Sequence, residues 1–217
     1  MSASKGFKVY GERALVAMVK ELKQLNDGAV PGKPVVIPID PDALSEEDKK
    51  KALDAVNIIE EKRDGRVKGR TCANGSKQRQ YLQEYESVAS PTVGQESLIT
   101  TLLIGAYEGC KFISFDVPGA FLQAEMADDK LVLLKLKGKF VDMMCEINPE
   151  FIPFVRYENT KFGKKIKVLY MKVIRAIYGC IEAALQWYKM FTGTLKKLGY
   201  KLNPYDKCVA NKVINGN

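Results

Sequence analysis

The chain has 217 residues, 46% of them hydrophobic, which is enough to bury a sizeable core in one domain or two small lobes. Thirty-four Lys and Arg against 26 Asp and Glu give a net charge of +8, so a polyanionic partner suits it better than a basic one. No histidine occurs, which excludes Ser-His and Cys-His nucleophile chemistry and His-ligated zinc, and the five cysteines include no Cys-x-x-Cys pair.

From the N-terminus, Leu15, Met18, Val19 and Leu22 predict a helix over 11–25. A Gly/Pro-rich linker is expected from Asn26 to about Pro41. Ser45 then reads as the N-cap of a second helix with acids in its first turn. Residues 57–63 and 66–72 flank Asp64-Gly65, a hairpin signal that puts Arg66, Lys68 and Arg70 on one face. Three neighbouring cations offer a phosphate surface, or simply a solvated ribbon.

Residues 95–108 predict an apolar helix without a polar side, expected to be a buried support. The run 111–117 predicts a strand delivering Asp116 at its end, followed by a helical turn near 119–125. Strands are expected at 130–136, 167–173 and 208–214, while 138–165 is mixed. A helix over 181–198 follows the Tyr178-Gly179 turn and stops at Gly199. No signal core and no long apolar span is present, so a soluble intracellular protein that contacts no membrane is expected, in a reducing compartment.

Asp116 has two readings. A lone Asp often caps the turn that follows it. It could instead hold a divalent cation, with the Val117 carbonyl as a second oxygen, against a phosphate. Phe121, five residues on, either packs in the core or lies beneath a sugar. Trp187 and Tyr188 read as core aromatics, with base stacking as the alternative. Asp128-Asp129 looks like a catalytic pair, but it lies in a polar connector and reads as solvated.

In this order the pieces resemble the reverse transcriptase domain of Ty1/copia-type retrotransposons. The basic segment Lys68-Gly69-Arg70-Thr71-Cys72-Ala73-Asn74-Gly75, Ser90-Pro91-Thr92-Val93, Asp116-Val117-Pro118-Gly119-Ala120-Phe121-Leu122, Ile177-Tyr178-Gly179 with Gln186-Trp187-Tyr188, and Asp206-Lys207-Cys208-Val209 match that family's motifs collinearly. Ala184 stands where the family usually has proline.

The resemblance implies an α+β right-hand polymerase fragment of fingers and palm, with a mixed, mainly antiparallel sheet packed by helices. Residues 1–44 would be an N-terminal helix and linker, 45–110 a fingers-like region with the basic hairpin, and 111–217 a partial palm. It implies that Asp116 is the first catalytic metal ligand, with Val117 beside it. Lys68 and Arg70 would touch nucleotide phosphates, and Arg66 would join them on nucleic acid. Phe121 would exclude the ribose 2′-hydroxyl, and Tyr178-Gly179 would contact nucleotide and template.

The implied cofactor is Mg²⁺ or Mn²⁺, expected only for an intact active site. The implied partners are an RNA template, a DNA primer or RNA–DNA hybrid, and deoxynucleoside triphosphates. The implied location is an element particle in the cytoplasm, or the nucleus. The family's Tyr-x-Asp-Asp strand follows Asp-x-Cys-Val, and this sequence does not contain it. Two of three metal carboxylates would then be absent and the chain would be inactive alone, leaving a non-catalytic nucleic-acid-binding remnant or a pseudogene product as alternatives.

Overall fold

The structure is a computed structural model that describes residues 1–81, 88–127, 130–160 and 162–214. Two helices open the chain, α1 (Ala3–Tyr10) and α2 (Glu12–Asp27). The buried stripe of α2 is Ala14, Met18, Leu22 and Leu25. It is rotated from the expected one, and Leu15 faces outward. The supposed linker is not merely a linker: Val35 and Val36 are fully buried, and β1 (Val36–Pro38) enters the sheet. A valine pair flanked by prolines suits the edge of a sheet, where a missing N–H costs no ladder bond.

Helix α3 (Glu46–Lys51) starts at Ser45 as expected, with a full capping box between Ser45 and Asp48. The hairpin follows as β2 (Leu53–Glu61) and β3 (Val67–Ala73), paired antiparallel from Ala55↔Ala73 to Glu61↔Val67. Its connection is longer than the two-residue Asp-Gly turn. Lys62 N–H donates to the Arg66 carbonyl, and Gly65 takes φ +78° between them. This is a three-residue loop closed by a left-handed glycine.

Helix α4 (Gln95–Tyr107), α5 (Ala120–Gln123), β4 (Leu133–Lys137), α6 (Lys139–Ile147), β5 (Arg156–Asn159), β6 (Lys165–Val173), α7 (Ala183–Lys197), β7 (Lys201–Leu202) and β8 (Ala210–Asn211) complete the described α-helices and strands, and 3-10 turns cover Pro41–Ala43, Gly75–Tyr81 and Pro149–Phe154. One sheet runs in the order β1-β6-β4-β2-β3, with β5 also paired to β6. All its pairings are antiparallel except β2 with β4. The fold is therefore α+β with a mixed sheet, and its strands come from all three stretches delimited by sequence.

Alternation along β4 and β6 divides the packing between the two faces. Leu134, Leu136, Leu169, Met171 and Val173 join α1, α2 and α6 in the main core. Leu133, Val168 and Tyr170 point the other way, into a small cluster with Leu44 and Ala52. Two glycines let helices approach the hairpin closely. A Cβ on Gly69 would lie 2.6 Å from the Ala17 carbonyl oxygen of α2, and one on Gly6 of α1 would lie 2.5 Å from Ile59.

Two expectations fail together. Residues 111–117 form no strand, and none of them makes a hydrogen bond among the described residues. Helix α4 is not a buried support, because only Gly105 in it is buried. The apolar pattern is real in both, but neither finds a partner surface. The 208–214 strand shrinks to the two residues of β8, which pair with β7. The Asn215-Gly216-Asn217 turn and Asp128-Asp129 lie outside the described residues.

What holds α4 is its start. The Asp206 carboxylate accepts the Gly94 N–H at 2.8 Å and the Cys208 N–H at 2.9 Å, and the Ser97 hydroxyl also bonds it. These bonds, from Gly94 first, hold its pKa below the ordinary Asp value. Because the folded pKa is depressed, this tie contributes fully above about pH 4, the unfolded value, and is lost as pH falls through the folded one. Asp206→Ala should speed amide exchange over residues 94–98 at pH 7 while leaving the main sheet's protection unchanged. Unaltered exchange at Gly94 would remove the tie.

Candidate nucleotide and nucleic-acid site

The end of β3, the 177–180 turn and α5 meet at one place. Ala73 N–H donates to the Tyr178 carbonyl at 2.7 Å, and Ala176 N–H donates to the Ala124 carbonyl at 2.8 Å. The first bond ties the turn to the hairpin, and the second ties it to the residue after α5. Arg175 reinforces this second tie, donating to the Gln123 carbonyl at 2.6 Å and pairing with Glu125 at 2.7 Å. The Phe121 and Tyr178 rings then pack at a centroid distance of 4.8 Å, inclined at 41°.

Gly179 occupies φ +92°, and a Cβ there would sit 1.9 Å from the Ala73 carbonyl oxygen. Gly75 meets the same turn from the other side, where its Cβ would lie 2.1 Å from the Gly179 carbonyl oxygen. Gln78 closes the corner by accepting the Ile181 N–H at 3.0 Å. Two backbones this close can only be glycine-lined.

The hairpin cations lie upstream along β3. At about 3.3 Å per residue, Arg70 is roughly 10 Å and Lys68 roughly 17 Å from Ala73. They share a face as expected, whereas Arg66 lies outside the strand and pairs with Asp64 at 2.6 Å. Arg70 donates to Glu60 at 3.3 Å, and Glu60 is shared with Lys62 at 3.1 Å. Lys68 stands opposite Glu60 in the register but makes no ion pair among the described residues.

A groove of about 810 Å³ separates the hairpin from α2, lined by Lys20, Glu21, Lys62, Arg66 and Lys68 among others. Glu21 was not anticipated. Its carboxylate accepts the Thr71 N–H at 3.0 Å, and burial, partly offset by that bond and by Lys68 and Arg70, pushes its pKa up. The signal was available: Glu21 falls on the side of α2 that carries Met18, Leu22 and Leu25, and an acid there needs a partner.

Asp116 is exposed, and its carboxylate is not joined to the Phe121–Tyr178 corner by any hydrogen bond. The turn after it is anchored, because Gly119 at φ +60° lies against Gln24 and Ala29, and Gln123 donates to the Pro118 carbonyl. No group of three His, Cys, Asp or Glu able to hold a metal occurs among the described residues. Asp116 and the Val117 carbonyl offer at most three oxygens, and Mg²⁺, which takes six, usually draws the rest from waters and substrate phosphates.

Trp187 stacks on Phe191 at 5.4 Å against the core, and the Tyr188 hydroxyl donates to the Lys207 carbonyl. Core packing therefore accounts for Trp187. No helix among the described residues is long and apolar enough to cross a membrane. No family model, curated protein or solved structure matches the chain.

Proposed function

We propose that the chain is a reverse transcriptase domain of the copia type, built on the fingers-and-palm plan, that binds an RNA–DNA hybrid and a deoxynucleotide. The supporting observation is the meeting of Phe121, Tyr178 and Gly179 with the end of the strand carrying Lys68 and Arg70. These residues come from motifs separated by up to about a hundred positions. Each motif is ordinary alone, and a corner of aromatic rings beside a cationic strand suits a sugar and base next to phosphates.

The reading assigns Lys68 and Arg70 to phosphate, Phe121 to the sugar, and Tyr178-Gly179 to nucleotide and template. It assigns Asp116 to a metal only in concert with further oxygen ligands. A second reading is a nucleic-acid-binding protein without catalysis, in which Lys68 and Arg70 meet phosphates and Asp116 holds no metal; no group of three His, Cys, Asp or Glu able to hold one occurs among the described residues.

Fluorescence anisotropy with a labelled RNA–DNA hybrid, followed by competition with deoxy- and ribonucleoside triphosphates on the complex, tests both. Tight hybrid binding at low salt with deoxynucleotide preferred is expected, and Phe121→Ala should bring the two nucleotides within about threefold of each other. Hybrid binding without nucleotide binding leaves the second reading. No binding of hybrid at low salt would sink both.

A further inference from the structure

More than half of the chain's surplus charge lies in residues 183–217. They hold six lysines, no arginine and a single acid, Asp206, a net +5 within the +8 of the whole chain. The Asp206 carboxylate is already engaged by Gly94, Ser97 and Cys208. Lys189, Lys196, Lys197, Lys201, Lys207 and Lys212 are all exposed, and none makes an ion pair among the described residues.

The fold gathers these cations along α7. Lys189, Gly193 and Lys196 recur at i, i+4 and i+7, so they share one side of the helix, with Lys197 beside them. Trp187 packs against the main core and stacks on Phe191, which leaves the lysine side free of aromatic rings. The Tyr188 hydroxyl donates to the Lys207 carbonyl at 3.1 Å and so ties the β7–β8 ribbon to the middle of α7. At the end of the helix, the Lys212 ammonium stands 5.7 Å from the centre of the Tyr200 ring, and its stem lies beside Gly199. Seven helical residues span about 10 Å, over which a strand with one charge per 3.4 Å or so presents roughly three phosphates.

The chemistry selects among occupants. Only Lys196 and Lys197 lie in the last turn of α7, so the helix dipole does not account for the other four. An apolar covering layer would strip water from ammonium groups that have no acid to pair with. A lipid surface would call for Trp, Phe or Leu beside the lysines, and the α7 aromatics are used elsewhere. Carboxylate recognition favours the planar fork of arginine, whereas lysines are point charges that follow a phosphate backbone without reading its bases. Gly193 fits the same occupant. Glycine is a poor helix former, and a Cβ there would meet nothing within 4 Å among the described residues, so packing does not require it. Between Lys189 and Lys196 it leaves room for a sugar–phosphate backbone to approach the helix.

We propose that this face of α7, together with Lys207 and Lys212, binds the phosphate backbone of nucleic acid as a second contact. It rests on the reading of the chain as a nucleic-acid-binding protein, but it shares no residue with the hairpin or with the Phe121–Tyr178 corner.

Anisotropy titrations with a labelled RNA–DNA hybrid of about 24 base pairs test it, at about 0.9 of salt slope per phosphate contact. Lys189→Gln with Lys196→Gln and Lys197→Gln should reduce the slope by nearly 3 and weaken binding about tenfold or more at moderate salt. Lys207→Gln with Lys212→Gln should reduce the slope by nearly 2. Lys33→Gln with Lys164→Gln and Lys165→Gln removes the same charge as the first variant from exposed sites elsewhere, and should change the slope little. Gly193→Gln should keep the thermal midpoint yet weaken binding a few-fold, because its side chain fills the approach without altering charge. All these sites lie at or near the surface, so the cooperative thermal transition should survive in each. Equal losses in the α7 variant and the Lys33 control, or loss in neither while Lys68→Ala still weakens binding, would overturn the second contact and leave the hairpin reading standing. Undiminished binding by Gly193→Gln would overturn the seat over α7. Loss in the α7 variant but not in Lys68→Ala with Arg70→Ala would support this surface and overturn the hairpin reading alone. No hybrid binding at low salt would overturn both, and capture by phosphatidylserine vesicles without hybrid binding would make the face a lipid contact instead.

Discussion

Gly179→Ala should lower the thermal midpoint by about 10 °C, whereas Gly163→Ala should lower it by only about 3 °C. Both glycines have positive φ, +92° and +73°, so both substitutions incur the left-handed penalty of about 1–2 kcal/mol. They differ in surroundings. Nothing lies within 4 Å of a Cβ on Gly163, whereas the Cβ on Gly179 would stand 1.9 Å from a backbone oxygen of β3. That oxygen cannot swing away as a side chain would, so the turn or the strand end must move and the Ala73–Tyr178 hydrogen bond goes with it. The combined cost is about 3 kcal/mol, and a chain of this length loses about 2–4 °C per kcal/mol. Scanning calorimetry on the two variants separates close approach from backbone conformation. Equal shifts would mean that the turn is not pressed against the strand. The same displacement should weaken nucleotide binding in the variant, because Tyr178 would leave Phe121.

What the sequence revealed, and what it hid, follows from the reach of each signal. The N-cap at Ser45, the hairpin, β6 and α7 rest on local chemistry or on periodicity within one element, and all four form. Helix α6 was hidden because Val141 and Met144 carry its buried side within only nine residues. The short strand β1 was hidden by the prolines around it. Residues 95–117 failed for a different reason. Their apolar patterns state that they want burial, but a pattern cannot say whether a partner surface is in the same chain. The corner of Phe121, Tyr178 and Gly179 could be suspected from resemblance alone. That Ala73 and Gly75 form its floor depends on contacts between residues about a hundred positions apart, which no local rule encodes.

Lys68→Ala should weaken binding to an RNA–DNA hybrid more than Arg70→Ala, and the double variant should reduce the salt slope by nearly 2. Each phosphate contact contributes about −0.9 to the slope of log K against log salt on a duplex, somewhat less on a single strand. The order of the single variants comes from what each cation must give up. Arg70 is engaged by Glu60, which is itself shared with Lys62, so part of its attraction for phosphate is already offset within the hairpin. Arg66 is similarly held by Asp64 and should rank with Arg70. Lys68 has no such ion pair among the described residues, and the Glu21 carboxylate lowers the potential around it.

Glu21→Gln is therefore the informative counterpart. The amide oxygen can still accept the Thr71 N–H, while the charge beneath Lys68 and Arg70 disappears, so hybrid binding should tighten by a few-fold. Stability should not suffer. Burial raises the Glu21 pKa in the fold, so its contribution is fullest below the unfolded value of about 4.5 and declines as pH rises through the folded one. At pH 7 the wild-type chain carries that desolvation cost and the glutamine variant does not. Anisotropy titrations between 50 and 200 mM salt, with urea melts of the same variants at pH 7, read both quantities. Weaker binding by Glu21→Gln, or a double variant with an unchanged slope, would show that the hybrid does not lie along this strand.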